Sequence, residues 1–382
     1  MKPGELKFPY LFQPGQLGRF KTRNRIKYGA CCVSNYNTRD GFITEREFAR
    51  MRIIARTGCG MITNQGAYPD PLGEGKAYFR QVAIFDDKFL PQFERIAADI
   101  KEQGAVAIQQ ILHAGRYGGI DLGYCIQPSD VPQTLPHFRP PKVMTKDEIR
   151  DCIRQHAQAA DRAIRAGFDG TEITSFMGYL LANFNSRFTN RRTDEYGGSI
   201  ENRMRFPLSV FEACRKNFPQ QKPMSVRISA TDWAPGGLSG EDLVALARML
   251  KEAGCDLIDC STGQTVPRQR PVYGRMYQAP FADWVRNEVG IATMTVGAVT
   301  SADQVNTLLA AGKADLVALA RPHLANPHFT LQASAWYQHE AQFWPPQYLP
   351  GKDQALRNAP RERAELTELR LRARPASHEV KA

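Results

Sequence analysis

Four stretches of the chain share one rhythm: an amphipathic run closes on glycine, an aspartate or small residue follows, and a short apolar run begins. IRAGFDGTEIT, KEAGCDLIDCS and LAAGKADLVALA show it, and KEQGAVAIQQIL is a looser copy. Gly104, Gly167, Gly254 and Gly312 suit the left-handed position just past a helix, where the lack of a Cβ costs least. Each apolar run is too short for a helix and nearly continuous, as in a parallel strand covered on both faces. The pattern predicts eight strands, near IKYGACCV, GMITNQG, AVAIQQIL, DGTEIT, MSVRIS, DLIDCS, TMTVG and DLVALA, separated by amphipathic helical stretches. Strict alternation with right-handed crossovers allows an open sheet or a closed barrel, and eight units in this length favour a single (β/α)8 TIM barrel over two domains.

The boundaries expected from this pattern are a barrel over residues 1–350 and a polar C-terminal extension over 351–382, where KDQALRNAPRERAELTELRLRARPASHEVKA mixes charges. A frayed tail is favoured there over an arm docked on a neighbouring subunit. Two loops exceed a connector's length: HAGRYGGIDLGYCIQPSDVPQTLPHFRPPKVM after the third strand and TGQTVPRQRPVYGRMYQ after the sixth. Both leave the carboxyl ends of strands, the face where barrels carry their active sites.

Composition narrows the class. The chain has 382 residues, 42% hydrophobic and 23% charged, so the bulk of it is expected to fold. No apolar window reaches membrane-spanning length and MKPGELKFPYLF lacks the core of a signal peptide, so a cytoplasmic protein without a membrane partner is expected. The eight cysteines show no CxxC or zinc spacing, and all lie at or before Cys260. Free thiols are expected, with no metal and no iron–sulfur cluster bound by the last third of the chain. A net charge of +11 fits either solubility or anionic partners. Dispersed basic residues without a recognition signature argue against nucleic acid. The last two units, TMTVGAVT and DLVALARPHL, place backbone N–H groups at Gly297, Ala298, Ala320 and Arg321 where such barrels commonly bind phosphate.

NRIKYGACC at Asn24, QQILHAGR at Gln109, NRRTDEYGGSIENRMRF at Asn190, SVRISATDW at Ser225 and the two final turns, taken in that order, resemble the old yellow enzyme family of flavin-dependent reductases. The likeness runs from about Leu11 to Pro350. It implies FMN, with its phosphate on the final turns and Arg321, with Ala30 and Gly66 beside the ring, with Gln110 on its pyrimidine edge, and with Arg227 near N1 favouring the anionic reduced form. Cys32 matches a cysteine that tunes the potential in some members, and a small buried hydrophobe is the plainer reading. Arg25 and RTDEYGG are expected to hold the scaffold.

Within the family, SVRISATDWAPGG, LIDCSTGQT and PVYGRMYQAPFADWVRNEVGIAT look like the reductase half of aminobenzoyl-CoA and salicylyl-CoA monooxygenase fusions, and QILHAGRY is similar to 2,4-dienoyl-CoA reductase. The resemblance implies NADPH or NADH as reductant and a small-molecule acceptor, an enoyl- or aryl-CoA thioester, in a homo-oligomer. Arg268, Arg270 and Arg275 in the sixth loop are then candidates for CoA or nicotinamide phosphates, against the reading of a solvated basic loop.

One stretch departs from the family. In DGTEITSFMGYLLANF a strand meets a helix, and Thr174 and Met177 stand where ordinary ene-reductases keep a His and a His or Asn for the substrate carbonyl. A threonine hydroxyl can donate one bond and a thioether none. Tyr179 occupies the family's proton-donor position. The expected division of labour gives redox chemistry to FMN, the proton to Tyr179, and polarisation to Thr174, with Met177 a pocket wall. Amine dehydrogenation or demethylation, and a flavin-binding subunit assisting a partner monooxygenase, are the competing readings.

Overall fold

A computed structural model of the chain describes residues 8–32, 36–133 and 138–372. Eight parallel strands close into a barrel: β1 (Ile26–Tyr28), β2 (Met61–Ala67), β3 (Val106–Ile111), β4 (Gly170–Ser175), β5 (Met224–Ser229), β6 (Leu257–Ser261), β7 (Ala292–Thr295) and β8 (Leu316–Leu319). Neighbours in sequence are neighbours in space, and β8 closes on β1 with Val317 opposite Ile26. The glycines at 104, 167, 254 and 312 all have positive φ, as their positions past helices require.

The helices cover the barrel because each has one apolar face. In the helix Lys146–Arg165 that face carries Ile149, Cys152, His156 and four alanines, and Thr145 with Glu148 closes a capping box at its start. The family-like RTDEYGG segment is indeed scaffold. Arg192 bonds Asp194 and donates to the Met144 and Pro128 carbonyls, tying the segment to the third loop.

The bottom of the barrel is sealed by a hairpin absent from the strand pattern, Gly15–Leu17 paired with Phe20–Thr22. Leu17 and Phe20 enter the barrel against Met61, Ile108, Leu257, Met294 and Leu316. Asp256, at the foot of β6, accepts from the Arg19 backbone and guanidinium at 2.9 Å each. Burying Phe20 contributes about 2 to 3 kcal/mol, so Phe20→Ser would open the floor of the site.

Some expected elements differ in extent. The first strand ends at Tyr28, because Gly29 to Cys32 leave the ladder to form the mouth, and its expected last residue, Val33, lies outside the described residues, as do 134–137 of the third loop and 373–382 of the extension. The third loop contains a small parallel pair, Cys125–Gln127 with Pro141–Val143. The extension is not frayed over 351–372. It lies in a helix, Leu349–Arg372, seated through the buried Ala359 near Trp336, whose ring faces Arg363 at 5.9 Å. Its i, i+4 ion pair Arg372–Glu368 supports the helix locally.

Candidate active site

Strand register decides which side chains meet inside the barrel. Thr174 on β4 is opposite Arg227 on β5, and Arg227 is opposite Asp259 on β6. Gln110 on β3 is opposite Glu172 on β4. These side chains, with Lys27 from β1, make a charged layer directly above the apolar floor. Lys27 is ion-paired to Glu172 and lies 3.8 Å from Asp259, all three side chains being at most 1% exposed. Gln110 donates its Nε2–H to Glu172 Oε1 at 2.7 Å.

Arg227 is pinned from two sides. Its Nε lies 3.5 Å from Asp259 Oδ2, and its guanidinium carbon stands 4.2 Å from the centre of the Phe176 ring. Burial alone would raise both carboxyls. At Glu172 the charges of Lys27 and Arg227 and the bonds from Lys27 and Gln110 reverse this and hold it below its ordinary range. At Asp259 burial wins and the carboxyl is raised.

Gly66 sits in a bulge of β2 between Asn64 and Ala67. A Cβ there would stand 2.8 Å from Leu112 and 2.9 Å from Gln110 Oε1, so only glycine lets the Gln110 amide reach the mouth. Gln81 holds the Gly66 carbonyl at 3.0 Å. Ala30 follows Gly29, whose N–H faces the Leu319 carbonyl at 3.4 Å. Cys32 is exposed as a residue, but its sulfur is turned to the Gly66 backbone and the Tyr78 hydroxyl, and desolvation raises its thiol.

The junction after β4 does not run straight into its helix. Met177 (φ 57°) and Gly178 (φ 70°) form a left-handed turn, held by Met177 N–H to Ser229 Oγ at 2.9 Å and Asn183 Nδ2–H to the Gly178 carbonyl at 2.7 Å. The turn aims Tyr179, which then caps the short helix Leu180–Asn185. Tyr179 packs edge-on to Phe176 and Tyr117, with ring centres 5.6 and 5.9 Å away. Burial, with Cys32 and Tyr117 nearby, pushes its phenol above the ordinary tyrosine range.

The two long loops meet over this junction. Tyr117 donates its hydroxyl to the Gln264 carbonyl at 2.7 Å and Arg116 donates to the Thr265 carbonyl at 3.1 Å. Arg268, Arg270 and Arg275 are exposed along the rim, with Arg268 stacked on Phe188 at 4.1 Å and Arg270 joined by its backbone N–H to the Trp233 carbonyl. They carry no ion pair among the described residues.

Gly297, Ala298, Ala320 and Arg321 line one cavity of 470 Å³ at the ends of β7 and β8. Gly297 has φ 106° and a Cβ there would lie 2.4 Å from Gln278 Nε2.

The site fits a flat cofactor with a polar edge and an anionic tail. Thr174 Oγ1 and Arg227 Nε are buried without a hydrogen-bond partner, Gln110 presents an amide at the mouth, and the cavity beyond is lined by turn backbone and Arg321. Fold and site together define an FMN-dependent barrel oxidoreductase. The chain belongs to the NADH:flavin oxidoreductase / NADH oxidase family, whose sequence profile matches residues 10–339, and is of the old yellow enzyme type.

It is 39% identical over 324 residues to an NADPH dehydrogenase of Geobacillus sp. (strain WCH70), covering 85% of this chain and 93% of that one, and 37% identical to the corresponding enzyme of Geobacillus thermodenitrificans, over 85% and 93%. Among solved structures it is similar to a 2-naphthoyl-CoA reductase in complex with 2-naphthoyl-CoA, at 29% identity and TM-score 0.80, covering 86% of this chain. This chain spans 52% of that one, about half its length. Morphinone reductase in complex with tetrahydroNAD is similar at 25% identity and TM-score 0.71, over 85% of this chain and 90% of that one.

Sequence reasoning missed Lys27, Glu172, Phe176, Tyr78 and Tyr117. A lysine inside an otherwise apolar strand was the one available signal for the first. The aromatic residues come from turns whose direction is set by left-handed backbone and loop contacts, which residue pattern does not encode.

Proposed function

We propose that this enzyme passes hydride from NAD(P)H, by way of FMN, to an activated C=C bond conjugated to a carbonyl, the acceptor being an enoyl- or aryl-CoA thioester. When bound, FMN supplies the hydride relay between nicotinamide and acceptor. The chain's own residues do the rest. The observation that carries the reading is a pair of unspent hydroxyls at one junction: Thr174 Oγ1 has no partner, and the Tyr179 hydroxyl has none among the described residues. Thr174 donates to the acceptor's carbonyl oxygen in place of the family's imidazole. Tyr179, kept protonated by burial, releases its proton from Oη to the carbon next to that carbonyl.

Phe176, Tyr179 and Tyr117 offer apolar edges to a planar acyl group and keep water from the transfer, and the rim arginines meet CoA phosphates. The similarity to 2-naphthoyl-CoA reductase supports this acceptor class. A cytoplasmic setting goes with the reading. No helix among the described residues is long and apolar enough to cross a membrane.

The test is anaerobic. The yellow protein is bleached with NADPH or NADH and then offered enoyl-CoA and aryl-CoA esters. Return of the oxidised spectrum with one of them is expected. Recolouring by oxygen alone would remove the CoA ester from the proposal.

The second reading, oxidation of an amine, has one observation in its favour, a 25% identical match at TM-score 0.72 to histamine dehydrogenase from Rhizobium sp. 4-9. Bleaching of the oxidised enzyme by an amine without nicotinamide would select it.

A further inference from the structure

Lys27 is a cation on a strand whose other residues are apolar, and no step above uses it. It is 1% exposed, deep enough that burial of its charge has to be compensated. The compensation is Glu172, whose two oxygens are divided: Oε2 goes to Lys27 Nζ and Oε1 accepts from Gln110 Nε2 at 2.7 Å. An ionised carboxylate accepts hydrogen bonds and donates none. With Glu172 ionised, the Gln110 amide has one allowed orientation, nitrogen down to the carboxylate and oxygen up, and Oε1 is the atom beside Gly66 at the mouth.

Without Lys27, Glu172 loses its direct ion-pair partner and keeps only the more distant charge of Arg227 against complete burial, so the carboxyl moves toward its protonated form. A protonated Glu172 donates, and the Gln110 amide is then satisfied equally well the other way round, nitrogen up. The charge on Lys27 therefore favours an acceptor over a donor where Gln110 meets the mouth. The flavin's pyrimidine edge carries one N–H, at N3, between two carbonyls. An upward acceptor suits N3–H, while the Arg227 guanidinium, an obligatory donor, suits a carbonyl.

We propose that Lys27 is a positioning residue that, through Glu172, fixes the Gln110 amide as an acceptor for the flavin N3–H. The proposal rests on the family's cofactor and is independent of the acceptor named above.

The experiment measures dissociation constants of the apoprotein for FMN and for N3-methyl-FMN by quenching of flavin fluorescence. Methylation removes the N–H, so the wild type is expected to prefer FMN by about tenfold, the worth of one such bond. Lys27→Met is expected to narrow that preference to within about twofold, because the freed amide no longer insists on a donor. Should Lys27→Met fail to fold, K27M/E172Q replaces both charges by neutral groups of similar shape and is expected to narrow the preference in the same way. A lysine with a merely structural role would weaken both flavins equally. An unchanged ratio in a folded variant, or a wild type indifferent to N3 methylation, overturns the proposal.

Discussion

The guanidinium of Arg227 stacks on the ring of Phe176 at 4.2 Å, so this side chain is held by a residue of the β4 turn rather than by a full ion pair. Its nearest carboxylate contact, Asp259 at 3.5 Å, is long, and Asp259 is itself pushed toward its neutral form by burial. The stacking therefore carries much of the positioning. Phe176→Leu keeps an apolar, though smaller, side chain and loses the quadrupole, worth about 0.5 to 2 kcal/mol. The expected outcome is a bound flavin whose potential falls by about 10 to 40 mV as the reduced anion loses its fixed counter-charge. A spectroelectrochemical titration beside the wild type checks it. An unmoved potential would mean that Asp259 alone fixes the guanidinium.

The proton role proposed for Tyr179 is tested by separating the two half-reactions. Tyr179→Phe leaves the ring edges at Phe176 and Tyr117 in place and removes only the hydroxyl. Stopped-flow reduction by nicotinamide is expected at the wild-type rate, while re-oxidation by the acceptor slows by about 10²- to 10⁴-fold, the range for loss of a positioned acid. Because burial raises the phenol, the wild-type re-oxidation rate should stay level up to about pH 10, where a free tyrosine would have titrated. A falling rate below that point would assign the proton to another group.

The barrel was legible because parallel strands covered on both faces are written as apolar runs, and the glycines past the helices mark the joints. Gly297, Ala298, Ala320 and Arg321 were legible for the same reason, being strand-end positions that the alternation locates, and they share one cavity. The polar tail misled because a solvated helix carries no apolar stripe. Leu349–Arg372 buries only Ala359, so composition reads as disorder where a narrow seam at Ala359, the Arg363–Trp336 contact and one i, i+4 ion pair accompany a helix. The strand and the helix at the junction after β4 were legible, but the left-handed turn at Met177 and Gly178 between them was not. That turn depends on Ser229, 52 residues away, and no local pattern contains that bond.

Gly297 should discriminate phosphate from its absence. In Gly297→Ala the new methyl would meet Gln278 Nε2 at 2.4 Å, and that nitrogen is already held by the Val296 carbonyl at 2.8 Å, so the turn itself has to move. The φ of 106° adds strain for any residue with a Cβ. Charge-assisted bonds from the turn to a phosphate are worth about 1.5 to 3 kcal/mol. FMN affinity is therefore expected to fall about ten- to hundredfold while riboflavin affinity is unchanged. An equal loss for both flavins would place the phosphate elsewhere.

Two buried histidines set an acid limit. His113 and His156 stack at 6.2 Å beside Asp70, and burial pushes them down to about 3 and about 4. Both folded values lie below the ordinary 6.5, so the stability they contribute is fully present above that pH and is lost as pH falls toward the folded values. By about pH 5 each withdraws about 2 kcal/mol, at 1.36 kcal/mol per pH unit. His156→Gln removes one of them. Its melting temperature is expected to drop less between about pH 7.5 and about pH 5 than that of the wild type, although it starts lower through loss of the bond to the Cys152 carbonyl. Parallel curves would show that these imidazoles do not govern the acid transition.

The rim arginines test the CoA portion of the acceptor apart from its acyl group. Arg268, Arg270 and Arg275 are exposed, so each contact to a phosphate is screened and worth about 0.2 to 1 kcal/mol. Replacing all three by glutamine is expected to raise KM for a CoA ester by about tenfold with kcat unchanged, since binding so far from the transfer acts equally on ground and transition states. The same acyl group on N-acetylcysteamine carries no phosphate and should show no change in KM. Raising the salt should erode the wild-type advantage for the CoA ester and leave the triple variant indifferent, because screening removes what the substitutions removed. If KM for the CoA ester stays put, the basic loop serves solubility and the acceptor's recognition lies wholly within the Phe176, Tyr179 and Tyr117 pocket.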